Sequence, residues 1–232
     1  PESEWLDAFL DGLFELARAH DVALIGGDTT RGPLSIGVSA FGFVPEGAAL
    51  RRGGARDGDE IWVTGSLGDA AAALDLLGSG ATPRAELRTR LDRPTARIAA
   101  GIALRGIASA CIDLSDGLLA DLGHLVRASN VAAVLDASLL PASSALRDVS
   151  DAQSRLRWQA SGGDDYELCF AAPLVQRARV MACLGDIDVP VTRIGRITSG
   201  TGVQLRDASG APIALATTGW NHFGIATQGA QE

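Results

Sequence analysis

The sequence predicts a mixed fold of helices and strands, α+β or α/β, and three observations carry that expectation. Short apolar runs of strand length are interspersed with segments of helical period, without a clean repeat. The 232 residues are 47% hydrophobic, enough for one large or two modest domains with a real core. No apolar run approaches the roughly 18 to 20 residues that a membrane helix needs, and no basic segment followed by an apolar stretch opens the chain as a signal peptide would. A soluble cytoplasmic protein is the default expectation.

The elements follow in chain order. From Glu2 to His20 the residues Trp5, Phe9, Leu13, Leu16 and Ala17 recur at helical spacing, with Pro1 and acids at the front where a helix start favours them. Val22 to Ile25 reads as a buried strand and Leu34 to Val44 as a longer one. Pro45 to Asp59, rich in Gly and Arg, has the composition of a domain junction. Beyond it the pattern predicts strands at Glu60–Thr64, Ala110–Leu114, Val131–Leu135, Glu167–Phe170 and Val191–Ile197. Helices are predicted at Asp69–Leu77, Ala85–Arg93, Thr95–Ile107, Asp116–Ser129, Ala152–Ala160 and Leu174–Leu184. A hairpin near Asp207 to Gly210 leads to the tail.

Composition excludes several chemistries. The formal net charge is −8 and every basic residue is arginine. Without lysine there is neither a Walker A loop nor a Schiff-base amine. An acidic chain with no basic stripe also argues against nucleic acid as the main partner. The three cysteines, Cys111, Cys169 and Cys183, are far apart and flanked by apolar residues, so they read as buried thiols of a reducing compartment.

Three Gly-flanked acid sites stand at strand edges. IGGDTTRG (Ile25 to Gly32) carries Asp28 and Arg31. IDLSDGLLADLGH (Ile112 to His124) puts Asp113 at the end of a strand, Ser115 next to it and Asp116 at a helix N-cap position. SGGDDYEL (Ser161 to Leu168) adds Asp164, Asp165 and Glu167 behind two glycines. Like charges so placed raise each other's pKa unless a cation is near, and hard oxygen ligands of this kind suit Mg²⁺ better than zinc. Arg31, Arg51 and Arg52, with Gly-rich backbone beside them, offer guanidinium forks for phosphate oxygens. One polyphosphate and metal site explains the coincidence better than three unrelated turns.

IGGDTTRG, IDLSDGL, SGGDDYELCF and the closing GWNHF (Gly219 to Phe223), in this order and at these separations, closely resemble the thiamine-monophosphate kinases. These belong to the superfamily of aminoimidazole-ribonucleotide synthetase, selenophosphate synthetase and the hydrogenase-maturation dehydratase. The resemblance implies that superfamily's two-domain fold. Residues 1–48 would form the C-terminal half of an ATP- and Mg-binding, dimerising first domain, and residues 49–232 the second, α/β domain. The family's leading segment, with its G-D-D metal motif, has no counterpart here, so the first domain is expected to be incomplete.

The implied activity is in-line transfer of the ATP γ-phosphoryl group to thiamine monophosphate with Mg²⁺, giving thiamine diphosphate and ADP. Alternatives are a non-catalytic nucleotide-binding fragment and another ATP-dependent synthetase of the superfamily. Carried over by position, Gly27, Asp28, Arg52 and Ser115 match ATP contacts. Asp28, Asp113 and Asp116 match Mg²⁺ ligands, whereas Asp164 and Trp220 match substrate-binding residues. Asp164 stands where the family pattern expects Glu, which shortens its reach but keeps its charge. The implied partners are ATP and thiamine monophosphate, with no nucleic acid and no membrane, and a homodimer through the first domain.

Overall fold

The computed structural model describes residues 2–220, so Asn221, His222 and Phe223 of the GWNHF motif lie outside the described residues. The chain divides into two units, Pro1–Pro45 and Glu46–Glu232.

The first unit holds one helix, α1 (Ser3–Ala19), amphipathic as its periodicity predicts, with the rings of Trp5 and Phe9 stacked 5.5 Å apart. The strands expected at Val22–Ile25 and Leu34–Val44 are not formed: both segments lack regular structure. Their composition suits a sheet, but a strand exists only when its N–H and C=O groups enter a ladder, and neither segment has a ladder partner among the described residues. Ile25 is 85% exposed and Phe43 fully so, which leaves these apolar segments uncovered among the described residues.

The second unit is built on one seven-stranded mixed sheet in the order β2-β4-β1-β5-β3-β6-β7. The strands are β1 (Glu60–Thr64), β2 (Ala110–Asp113), β3 (Ala132–Asp136), β4 (Leu168–Ala172), β5 (Val191–Thr198), β6 (Gly202–Arg206) and β7 (Pro212–Ile213). All pairs are antiparallel except β3 with β6. The β6–β7 hairpin turns through Asp207, whose carboxylate accepts from the N–H groups of Ser209 and Ala211 and is held below the usual range by the Ser209 hydroxyl and those amides. Central β1 is buried along its whole length, because neighbours pair with both of its edges and helices cover both faces.

The alternation of β1 separates two cores. Ile61 and Val63 face one side with Ile112, Cys169 and Ile194, under helix α5 (Leu118–Ser129) and its stripe of Leu118, Leu122, Leu125 and Val126. Trp62 faces the other side with Phe170, against Leu104 behind α4 (Ile98–Ala103) and Val180 and Leu184 of α8 (Arg177–Gly185). A third, smaller core gathers α2 (Asp69–Gly78), α3 (Ala85–Asp92), α6 (Ser144–Val149) and α7 (Ala152–Ser161) around Leu87, Leu146 and Trp158. Cys111 and Cys169 are buried thiols and Cys183 is half-buried; burial pushes the Cys111 thiol up to about 12. Among the described residues no helix is long and apolar enough to cross a membrane.

Helix α4 starts three residues later than its apolar pattern predicts. Arg97 stands at its N-cap position, where its guanidinium reaches the buried Glu167 instead of continuing the helix backward. Helix α6 escapes the periodicity altogether, at six residues, and is started by Ser143, whose hydroxyl accepts from the Leu146 N–H at 3.0 Å.

Candidate active site

Two of the acid motifs and the end of the described chain meet at one place. The Asp164 N–H donates to the Ser115 carbonyl (2.9 Å), and the Tyr166 N–H to that of Leu114 (2.8 Å). The Leu114 N–H donates in return to Glu167 (2.9 Å), and the Trp220 N–H to the Asp116 carbonyl (2.9 Å). These backbone bonds fuse IDLSDG, SGGDDYE and the Gly219–Trp220 pair into one surface.

Close approach is what the glycines permit. A Cβ on Gly163 would meet the Ser115 carbonyl oxygen at 2.5 Å, closer than real Cβ atoms come. Asp164 (φ 66°) and Tyr166 (φ 49°) sit in the left-handed region, a conformation that costs on the order of 1–2 kcal/mol per residue and is offset here by their backbone bonds. Gly163→Ala is therefore expected to push the two loops apart and destabilise the protein by about 1–3 kcal/mol. Chemical denaturation together with titration of the ligand would register both losses.

The fused loops form one side of a cleft of about 950 Å³. Ser115, Asp116, Asp164, Tyr166 and Trp220 line it, together with residues of α2 and α7, among them Asp75, Arg157 and Trp158. Trp220 lines the cleft and is 69% exposed, so its ring is not spent on the core. The Tyr166 phenol lies 3.4 Å from the Asp164 carboxylate. Partial burial, then the charges of Asp164, Asp113 and Asp116, hold its hydroxyl protonated to higher pH than usual. Asp164 and Asp116, which line the cleft with Tyr166, thus make its negative pole.

Two acids named as site candidates turn inward instead. Glu167 is fully buried and accepts from Thr64 Oγ1 (2.6 Å), Arg90 Nη2 (2.8 Å), and Arg97 Nε (2.6 Å) and Nη2 (2.7 Å). Gly65 makes room for it, since a Cβ there would meet Glu167 Oε1 at 2.1 Å. Asp165 is buried against the Gly68 N–H at the start of α2, where desolvation pushes its carboxyl well up. The loop between them is bolted down at both points, which leaves Asp164 as its cleft-lining acid.

Asp116 does not cap α5 with its side chain. Gly117 occupies the N-cap, and the carboxylate that gathers the loose amides is Asp121, one turn into the helix. Its Oδ2 accepts from the N–H groups of Ser115 (3.0 Å), Asp116 (3.0 Å) and Gly117 (3.1 Å). Burial pushes the Asp121 carboxyl up, against the downward pull of those three donors. The signal for it was present in the sequence as an acid in the first turn of an otherwise apolar helix face.

The remaining candidates fall elsewhere. Asp113 is exposed at the end of β2. Arg52 is exposed, its carbonyl accepting from the Ser129 hydroxyl at 3.2 Å, and it lines neither this cleft nor a smaller cavity of about 320 Å³ bordered by Arg51 and Gly53. Gly27 and Asp28 lie in the first unit, in exposed irregular backbone. Among the described residues no three His, Cys, Asp or Glu side chains come together as a preformed metal group. The donors at the acidic pole are nevertheless carboxylate oxygens, the ligand chemistry that Mg²⁺ takes.

Residues 56–208 match the C-terminal domain of AIR synthase related protein, and residues 1–44 match its N-terminal domain. The thiamine-monophosphate kinase of Escherichia coli K12 is 46% identical over 227 residues, 96% of this chain and 70% of that relative. The chain belongs to the thiamine-monophosphate kinase family. The family's enzyme from Haemophilus influenzae is 40% identical over 231 residues, again across 96% of this chain and 70% of the relative. The crystal structure of the kinase from Stenotrophomonas maltophilia K279a superposes with a TM-score of 0.82 at 47% identity, covering 92% of this chain and 69% of that one. AaThiL complexed with AMPPCP and TMP superposes with a TM-score of 0.62 at 32% identity, covering 75% of this chain and 54% of that one. The fold and the family expected from the four motifs are those found.

Proposed function

We propose that this chain transfers the γ-phosphoryl group of ATP to the phosphate of thiamine monophosphate, in line and with Mg²⁺, yielding thiamine diphosphate and ADP. The observation that carries the reading is the fusion of the IDLSDG, SGGDDYE and Gly219–Trp220 segments into one cleft with an acidic pole and an exposed indole, in a member of this kinase family. AaThiL, a relative by structure, is complexed with AMPPCP and TMP, which supports the same pair of ligands here.

In this reading Trp220 offers its ring face to the thiazolium cation, a contact of about 0.5–2 kcal/mol, and Asp164 adds a carboxylate to the same cation. Ser115 contacts the nucleotide, as do Gly27 and Asp28 in the first unit, and Arg52 places a fixed positive charge on its phosphates. Asp28, Asp113 and Asp116 would hold Mg²⁺, which when bound neutralises phosphate charge during transfer. The acceptor phosphate is already ionised, so the chain needs no general base. Residues 1–48 act as part of the nucleotide and dimer domain and residues 49–232 as the second domain, in a cytoplasmic homodimer.

Asp28→Asn tests the assignment of the first acid motif. Asp28 is exposed and outside regular structure, so the substitution is expected to leave the thermal unfolding midpoint unchanged while weakening Mg-ATP binding at least tenfold in calorimetric titration. Equal affinity and equal turnover in the variant would remove Asp28 from the site.

A further inference from the structure

We infer that Asp75, held on the cleft wall by Arg157 and Trp158, accepts the amino group of the substrate's aminopyrimidine ring. This assignment rests on the reading of the site as a thiamine-monophosphate kinase.

Asp75 lies on α2 and lines the same cleft as Asp116, Asp164 and Trp220. Its Oδ2 atom takes two donors at once, Arg157 Nη2 at 2.6 Å and the Trp158 indole N–H at 2.9 Å. Those hydrogen bonds hold the carboxyl below its ordinary range, so the group is an anion and an acceptor only. Oδ1 has no hydrogen-bond partner among the described residues.

The holding groups are themselves fixed. The Trp158 ring is buried in the core between α2, α3 and α6, and the Arg157 guanidinium lies over that ring, 5.6 Å from its centroid. A half-exposed ion pair contributes little to stability. What this arrangement does provide is a carboxylate with restricted motion and one oxygen left for a ligand, which lowers the entropy cost of binding.

The substrate's chemistry matches the groups that line the cleft. Its thiazolium and phosphate end carries the charges that Trp220, Asp164 and the acidic pole address. Its other end, one methylene away, is a flat ring bearing an amino group, a donor of two N–H bonds. A cleft of about 950 Å³ has room for both rings, and a charged acceptor in its lining selects for the amino substituent.

The test is a chemical cycle on the intact chain. Asp75→Ala is expected to raise KM for thiamine monophosphate roughly 10- to 100-fold, the effect of losing a hydrogen bond to a charged group. KM for ATP should not move, and the thermal midpoint should fall modestly, because the buried Trp158 N–H loses its acceptor. With the 4′-deamino analogue, which has hydrogen in place of the amino group, wild type and variant should be equally poor. An unchanged KM for thiamine monophosphate, or the same loss with both substrates, overturns the assignment. A wild-type protein that phosphorylates no thiamine monophosphate overturns the function and this assignment together.

Discussion

Replacing Glu167 with alanine is expected to cost about 3–5 kcal/mol of stability, the range for breaking a buried ion pair from one side. Two guanidiniums, on side chains only 18% and 16% exposed, converge on this one carboxylate, together with the Thr64 hydroxyl. The hydrogen bonds to Glu167 hold Arg97 charged against the desolvation of its burial. Without the carboxylate, both cations stay buried and unpaired and the Asp164–Tyr166 loop loses its anchor. Urea unfolding checks this directly, with Arg84→Ala as control. Arg84 pairs with Asp148 on the surface, where both side chains are about half exposed, so its loss should change stability by less than about 1 kcal/mol. Equal effects of the two substitutions would contradict the burial argument.

The second large effect is on turnover. If Asp116 holds Mg²⁺ as proposed, Asp116→Asn is expected to lower kcat at least 100-fold while leaving the fold intact, because the site would lose a charged ligand. The fold should survive because Asp116 is tied in through its main chain: its N–H donates to Asp121 and its carbonyl accepts from Trp220. Asparagine is nearly isosteric and keeps those bonds. Raising the Mg²⁺ concentration should recover part of the lost rate. A variant that unfolds, or one with unchanged kcat, would argue against the role.

What was legible in the sequence follows the physics of each segment. β1 and α5 could be read because apolar residues alone specify them: five consecutive buried positions in the first, a one-sided leucine stripe in the second. The fold class and the meeting of the DLSDG, GGDDYE and GW segments were legible through residue type and order. The segments at 22–44 were misread because strand propensity says what fits a ladder and not whether a partner is present. α4 was read too long because a tertiary ion pair, Arg97 with Glu167, overrode a local pattern. The acids were the least transparent. Asp164 faces the cleft while Asp165 and Glu167, one and three residues on, are structural, and that division depends on left-handed backbone at Asp164 and Tyr166 that no local pattern announces. Asp75 and Asp121 were overlooked because their partners lie in another helix and in the preceding loop.

The most direct measurement is product formation by this chain with γ-labelled ATP, Mg²⁺ and thiamine monophosphate. Label is expected in the terminal phosphate of thiamine diphosphate, dependent on Mg²⁺ and lost in Asp116→Asn. Label released only as inorganic phosphate, or no label transferred to thiamine monophosphate, would contradict that activity.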